Sequence, residues 1–298
     1  MIAGVLIALL LLLMSGPAQA QTPTISSRLD AETLRDLPTT DNLFSVLETT
    51  QPSIVSDRFS AGLYVGQPAR VSSFFSSYTE TVFRLGDVDL TDPSGSGQPL
   101  LVPDLSLWEH VDVATGLTPI ETGAPGLAVG FEPRRPAARW TRTISGTRFG
   151  ATEPAGPGVP PIVRPDGWSR VSAAASGPLL GDGSGVTRLA GYFAGSSTRG
   201  AQFFRAETRA ARASTSSGFA LLVFTPSEQS ELQTIGWVQQ SAYPLESRVA
   251  FGASGADDDG TGRSEDLASH LQATWERHRP NARRWRLFAS YTRRDRQP

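Results

Sequence analysis

From about Arg135 onward the chain alternates polar and apolar residues in short segments cut by Gly, Pro, Asp and Asn clusters. In Leu267 to Arg277, Leu267, Leu271, Ala273 and Trp275 share one face, and His270, Gln272, Thr274 and Glu276 share the other. Arg284 to Thr292 repeats the pattern: Trp285, Leu287, Ala289 and Tyr291 oppose Arg286, Ser290 and Thr292, with Phe288 on the polar face. A period of two puts alternate side chains on opposite sides of a strand and does not make an amphipathic helix. Pro280-Asn281 between these segments predicts a hairpin. Further strands are expected over Arg139 to Arg148, Trp168 to Ser176, Val186 to Ser196, Phe219 to Thr225, Glu231 to Gln240 and Ser247 to Ser254, about eight in all. The links Gly177 to Gly185 and Thr225 to Ser230 are short; those near Thr198 to Ser217 and Gly255 to Asp266 are longer. Such alternation suits a membrane barrel, whose two rims differ.

The N-terminus supports export. Ile2 to Met14 is an unbroken apolar run, Ser15-Gly16-Pro17 breaks it, and Ala18-Gln19-Ala20 supplies a small-x-small cleavage site. The run is shorter than the roughly 20 residues a spanning helix needs. Residues 1–20 are therefore read as a signal peptide with mature start at Gln21; an uncleaved anchor is the alternative. No later apolar run approaches spanning length, so a membrane role has to use strands. The chain has no Cys, which excludes disulfides and thiolate metal sites. All 27 basic residues are Arg, and the formal charge of −2 gives no reason to expect nucleic-acid binding.

Residues before Arg135 read as a small α+β unit. Asp30 is placed to cap a short helix carrying Leu34 and Leu37 and ended by Pro38; Asp41 is placed to cap a second carrying Leu43, Phe44, Val46 and Leu47 and ended by Pro52. Phe59 to Tyr78 reads as irregular strand and loop. Thr81 to Leu90 alternates as a strand, followed by the turn cluster Asp92-Pro93-Ser94-Gly95-Ser96-Gly97. Pro103-Asp104 opens a short helix with Leu105, Leu107 and Trp108, running into a strand that ends at Gly116.

The chain offers little for catalysis. His110, His270 and His278 have no nucleophile motif beside them. Asp257-Asp258-Asp259-Gly260 has the composition of a cation-binding loop but Ala268 where an EF-hand needs Glu, and is read as a solvated acidic loop. Arg277 to Arg296 carries arginines at strand period, which fits a barrel lumen or rim better than a nucleic-acid patch. Trp140, Trp237, Trp275, Trp285 and Tyr291 fit either an interfacial girdle or the core of a soluble sandwich.

The order of three segments, Asp36 to Val55, Phe83 to Pro93 and Leu107 to Gly116, resembles the plug domain of TonB-dependent outer-membrane receptors. Leu37-Pro38, Gly86-Asp87-Val88 with Thr91-Asp92-Pro93, and Val111-Asp112-Val113-Ala114-Thr115-Gly116 stand where that family has its helix entry, its strand-to-turn and its acidic strand. Gly123 to Val129 is similar to the stretch before the last plug strand, and Pro133-Arg134-Arg135-Pro136 to the plug-to-barrel junction. The resemblance implies an α+β plug domain over 21–135, followed over 136–298 by the first eight or so antiparallel strands of an incomplete transmembrane β-barrel. It implies an importer, not an enzyme, in the cell outer membrane. Its partners are an inner-membrane TonB-type energy complex, outer-membrane lipid and a small-molecule ligand (a siderophore, an oligosaccharide or similar), with no cofactor and no metal.

The apical ligand contacts implied are Tyr64, Phe74, Phe75, Tyr78, Asp92, Ser94 and Gln98, although packing inside the plug is the favoured account of the aromatics. Three departures stand out. Asp-Gly is inverted to Gly86-Asp87. Thr22-Pro23-Thr24-Ile25-Ser26 is only a loose match to an energy-coupling segment. The residues after the plug are too few for the family's 22 strands, so the chain is read as the N-terminal part of a receptor. A secreted β-sandwich binding or adhesion protein is the rival reading, and an envelope hydrolase a weaker third.

Overall fold

A computed structural model describes residues 24–37, 42–57, 65–74, 76–102, 104–116, 126–150, 163–181, 187–204, 210–244, 263–278 and 284–297. The expected signal peptide, Asp41, Tyr64, Phe75, the Asp257–Gly260 cluster, Pro280-Asn281 and the strand expected at Ser247 to Ser254 lie outside them.

The first unit holds β1 (Thr24–Asp30), α1 (Ala31–Asp36), α2 (Leu43–Thr50), β2 (Ile54–Asp57), β3 (Arg70–Ser73), β4 (Thr81–Leu85), β5 (Val88–Asp89), β6 (Trp108–Gly116) and β7 (Leu127–Pro133). Five strands form one sheet in the order β1-β6-β7-β4-β5, with β4 and β7 parallel; β2 and β3 form a separate ladder. Asp30 caps α1 as expected, accepting from Thr33 N–H at 2.8 Å. The cap of α2 is Asn42, whose Oδ1 accepts from Phe44 N–H at 2.9 Å. The expectation that placed Asp41 there is one residue early, because either side chain has the acceptor a cap needs. Leu43, Phe44, Val46 and Leu47 are all buried.

The strand expected over Thr81 to Leu90 is instead a tight hairpin. Leu85 pairs with Val88 across Gly86-Asp87. Gly86 takes φ +58°, a conformation that a two-residue hairpin needs and that side chains with a Cβ resist. The helix expected before β6 is one 3-10 turn, Leu105–Leu107, capped by Asp104. Thr24 to Ser26, within the loose energy-coupling match, pair with β6.

The second unit is a seven-stranded antiparallel meander: β8 (Thr141–Phe149), β9 (Val163–Gly181), β10 (Thr187–Phe204), β11 (Ala211–Ser227), β12 (Ser230–Pro244), β13 (Arg263–His278) and β14 (Arg284–Gln297). It is not closed; β8 and β14 are its edges. The strands are longer than expected. Most of the link expected near Thr198 to Ser217 is paired, with Thr198 opposite Thr215 and Gly200 opposite Ala213. The links 182–186, 228–229 and 279–283 leave one end of this sheet (the turn end), and 150–162, 205–210 and 245–262 leave the other (the loop end).

On β13 the polarity is inverted relative to a water-soluble domain. Leu267 and Leu271 are exposed, Leu271 at 57%. Between and beside them Asp266, His270, Gln272 and Thr274 are buried on the opposite face. Ile144 (82% exposed), Val171, Val238, Leu287 and Tyr291 continue the outward apolar face. The inner face packs on the first unit, and one apolar core runs through both, joining Leu43, Phe44, Phe83, Trp108 and Phe131 to Tyr192, Phe219, Leu221, Ile235 and Trp237. A sandwich would pack apolar faces together and leave polar rows outside; here β10 to β12 do give apolar side chains to the shared core, but β13 turns its polar row inward and its leucines outward.

Candidate functional site

The segment from Leu101 to Trp108 crosses the inner face of the long sheet and is held there at several points. Gln239 Oε1 accepts from Val102 N–H at 2.7 Å, and Gln239 Nε2 donates to Val102 C=O at 2.7 Å. The side-chain amide thus meets the backbone as a neighbouring strand would. Arg170 from β9 pairs with Asp104 in a buried contact and donates to Ser106 Oγ at 3.2 Å. Burial alone would push the Asp104 carboxyl up. The Arg170 guanidinium, with donors from Ser196 and Ser106, outweighs this and holds it below the usual carboxylate range. Trp108 then packs edge-on against Trp237 (ring centroids 5.5 Å apart) and Phe219 (5.9 Å).

Ion pairs anchor the rest of the small unit. Asp87, in the hairpin turn, meets Arg286 at 2.6 Å, and Arg286 also meets Glu276 at 2.9 Å. Arg135 meets Glu231 at 3.2 Å. Arg286 lies near the start of β14, so the Gly86-Asp87 turn sits at the turn end. Strand β4 runs away from Tyr78 toward that turn, which puts Tyr78 at the loop end.

The expected contact residues fall into two groups. Tyr78 and the turn Asp92 to Gln98 come together. The turn is closed by Asp92 N–H to Gln98 C=O at 2.8 Å and by Ser94 N–H to Asp92 Oδ1 at 2.9 Å. Gln98 Nε2 donates to Pro68 C=O at 3.2 Å. The Arg70 guanidinium lies 5.1 Å from the Tyr78 ring centroid. Burial raises the Asp92 carboxyl, but donors from Ser94 and Ser96 and the charge of Arg294 bring it below its ordinary value. Phe74 stands apart, its N–H donating to Ser53 C=O at 2.8 Å. Phe74 and Tyr78 are both exposed, so packing in the core does not explain these two. Tyr64 and Phe75 lie outside the described residues.

The sequence reading missed Arg170, Gln239 and the Trp108–Trp237 contact. Trp237 is fully buried at the interface, whereas Trp140, Trp285 and Tyr291 are exposed and Trp275 donates from Nε1 to Ser230 Oγ. His270 bonds Thr292 Oγ1 at 2.8 Å and Gln272 Oε1 at 3.3 Å, and so is held within the long sheet. Between the small unit and the loop-end half of the long sheet lies a cavity of about 230 Å³, lined by Gln67, Asp104, Trp168, Thr198, Thr215 and Ser217 among others.

No protein-family model and no curated protein sequence matches the chain. Solved structures do match in fold. The siderophore receptor PirA from Acinetobacter baumannii matches with TM-score 0.70 at 13% identity, over 90% of this chain and 40% of that one. A ferric enterobactin receptor from Pseudomonas aeruginosa, PfeA, solved with enterobactin, matches with TM-score 0.65 at 13% identity, over 90% and 40%. The outer membrane transporter YddB from Escherichia coli gives TM-score 0.62 at 12% identity, over 90% and 38%. The chain spans about 40% of the length of these structures. Its fold, an α+β unit followed by antiparallel strands of an unclosed barrel, is the one the sequence resemblance implied.

Proposed function

We propose that the chain forms the gate and the first part of the wall of a TonB-dependent outer-membrane importer, with 21–135 as the plug and 136–298 as the first barrel strands. The observation that carries this reading is the inverted polarity of β13, beside apolar side chains exposed along the outer face of the long sheet. Leu267 and Leu271 point away from the protein while Asp266, His270 and Gln272 are buried against the rest of it. Hydrocarbon accepts the first face, and a plugged lumen accepts the second. In such a setting the backbone groups along the free edges of β8 and β14 need neighbouring strands, since hydrocarbon supplies no hydrogen bonds.

In this role the plug occludes the lumen while Gln239, Arg170 and the Trp108 cluster hold it to the wall. The loop-end turn Asp92 to Gln98, with Tyr78, meets a ligand arriving from outside. An energy complex of the inner membrane then displaces part of the plug. The exposed Tyr78 and the polar groups of Asp92, Ser94 and Gln98 are the contacts this reading requires. The test is fractionation of the exported chain. The reading expects it in the outer-membrane fraction, extracted by detergent. A mature chain that is folded and soluble without detergent would overturn it.

A further inference from the structure

We infer that the outward face of the long sheet carries, at its loop end, a docking site for one acidic amphiphile: a lipid with a phosphomonoester headgroup, held by Arg199, Arg212 and Arg263 around Ser214. The inference rests on the importer reading above for the membrane around the sheet, and goes beyond it in naming a headgroup and the residues that take it.

Pairing across the strands fixes which side chains share this face. Arg148, Ser169, Arg199, Ser214, Ala242 and Glu265 stand opposite one another in an unbroken row from β8 to β13. Val171 and Leu267, each two residues further along its strand on the same side, are exposed, so the row belongs to the outer face. Arg212 is two residues before Ser214 on β11 and shares that face. Arg263, two residues before Glu265, reaches back across β12 and donates from Nη2 to Ser214 Oγ at 3.3 Å. One hydroxyl thus has Arg199 opposite it in the ladder, Arg212 beside it on the strand and Arg263 bonded to it, and all three arginines are exposed. Of the described carboxylates toward this end, Asp295 is taken by Arg293 at 2.9 Å. Glu265 and Asp166 are in no ion pair with the three arginines. Like charges gathered without a counter-charge repel one another, and a bound anion relieves that repulsion. Guanidinium forks match the oxygens of a phosphate, and a phosphomonoester brings nearly two negative charges.

What lies beside the arginines selects a lipid over a free anion. From Ser214 toward the middle of the sheet the outer face is lined by small residues. Ser197 pairs with Ser216, Gly195 with Gly218 and Ala220 with Gly236. Ser216 Oγ donates to Ser197 Oγ at 3.2 Å, so these hydroxyls meet each other. A Cβ at Gly218 or Gly236 would meet nothing within 4 Å. Larger apolar side chains flank this floor, Val171 on one side and Val238 and Leu267 on the other, with Phe193 at its far end, all exposed. The result is a shallow apolar furrow that begins at the arginines. A phosphate at Ser214 places an acyl chain along it.

Calorimetric titration of the purified full chain in a non-ionic detergent tests this with dihexanoyl phosphatidic acid, dihexanoyl phosphatidylcholine and inorganic phosphate as probes. Saturable binding of phosphatidic acid is expected, about tenfold or more tighter than either of the other probes. It should weaken about fivefold in Arg199→Gln and in Arg212→Gln. It should be unchanged in Arg142→Gln, which removes an exposed arginine from β8 on the same face outside the cluster. If one of the two cluster variants does not fold, the other decides. Inorganic phosphate binding as tightly as the lipid would overturn the lipid site. So would equal binding of phosphatidylcholine, or an equal loss in Arg142→Gln. A mature chain soluble without detergent would overturn the importer reading. A chain in the outer-membrane fraction that shows no preference for phosphatidic acid would overturn this site alone, so the two failures are distinguishable.

Discussion

The side-chain amide of Gln239 forms a paired hydrogen bond with the backbone of Val102, 2.7 Å in each direction. It replaces, for one residue, the strand partner that Val102 lacks. Both backbone groups face the wall interface, where an unmet polar group is costly. Gln239→Leu is therefore expected to weaken plug docking by about 1 to 3 kcal/mol. Hydrogen exchange at the Val102 amide should rise more than at Val113, which lies within the plug sheet and is paired there with Val129.

Acid should loosen the same attachment. The Asp104 carboxyl is held below its ordinary range because Arg170 and the Ser196 and Ser106 donors outweigh the burial that opposes ionisation. A carboxylate depressed in the folded state contributes stability that is fully present above its unfolded pKa, about 4. That contribution is lost as pH falls through the lower, folded value. Thermal stability is expected to fall below about pH 4 in the parent and to depend less on pH there in Asp104→Asn. Equal acid sensitivity in the two proteins would rule out this pair as the source.

The outward face supplies a depth-dependent test of membrane residence. Leu271 lies at the middle of β13, and Leu287 lies toward the turn end, opposite Trp275. Leu271→Arg should cost about 2 to 4 kcal/mol in a bilayer and Leu287→Arg less, since the cost falls toward the interface. Refolding yield into vesicles measures both. On a water-facing surface the two substitutions would be near neutral and alike.

Strand existence was legible because alternation is local: the contrast between His270 and Leu271 can be read from neighbours alone. Which face turns inward is less so. On β12 the inner row is Ile235, Trp237, Gln239 and Ser241 and the outer row includes Thr234, Gly236, Val238 and Gln240, so neither row is plainly apolar. Contact with Trp108, far away in sequence, decides it. The pairing of Thr198 with Thr215 was hidden for a related reason. Ser, Thr, Gly and Ala resemble loop composition, and only their position over a gap between plug and wall explains small residues in a long strand. The Arg170–Asp104 and Gln239–Val102 contacts join distant segments and leave no local signal.

Gly97 gives a direct handle on the loop-end turn. It holds φ +67°, and a Cβ there would lie 2.0 Å from the Tyr78 carbonyl oxygen. Backbone, not a flexible side-chain tip, blocks the added atom, so the turn or the Tyr78 segment has to move. Gly97→Ala is expected to cost about 1 to 3 kcal/mol locally. It should also open the Asp92 N–H to Gln98 C=O closure. Gly95→Ala is the control: it also has positive φ, +77°, but a Cβ there meets nothing within 4 Å. If this turn takes part in ligand capture, Gly97→Ala in the complete importer should weaken binding well beyond Gly95→Ala. Equal affinity in the two variants would remove Asp92, Ser94 and Gln98 from the ligand contacts.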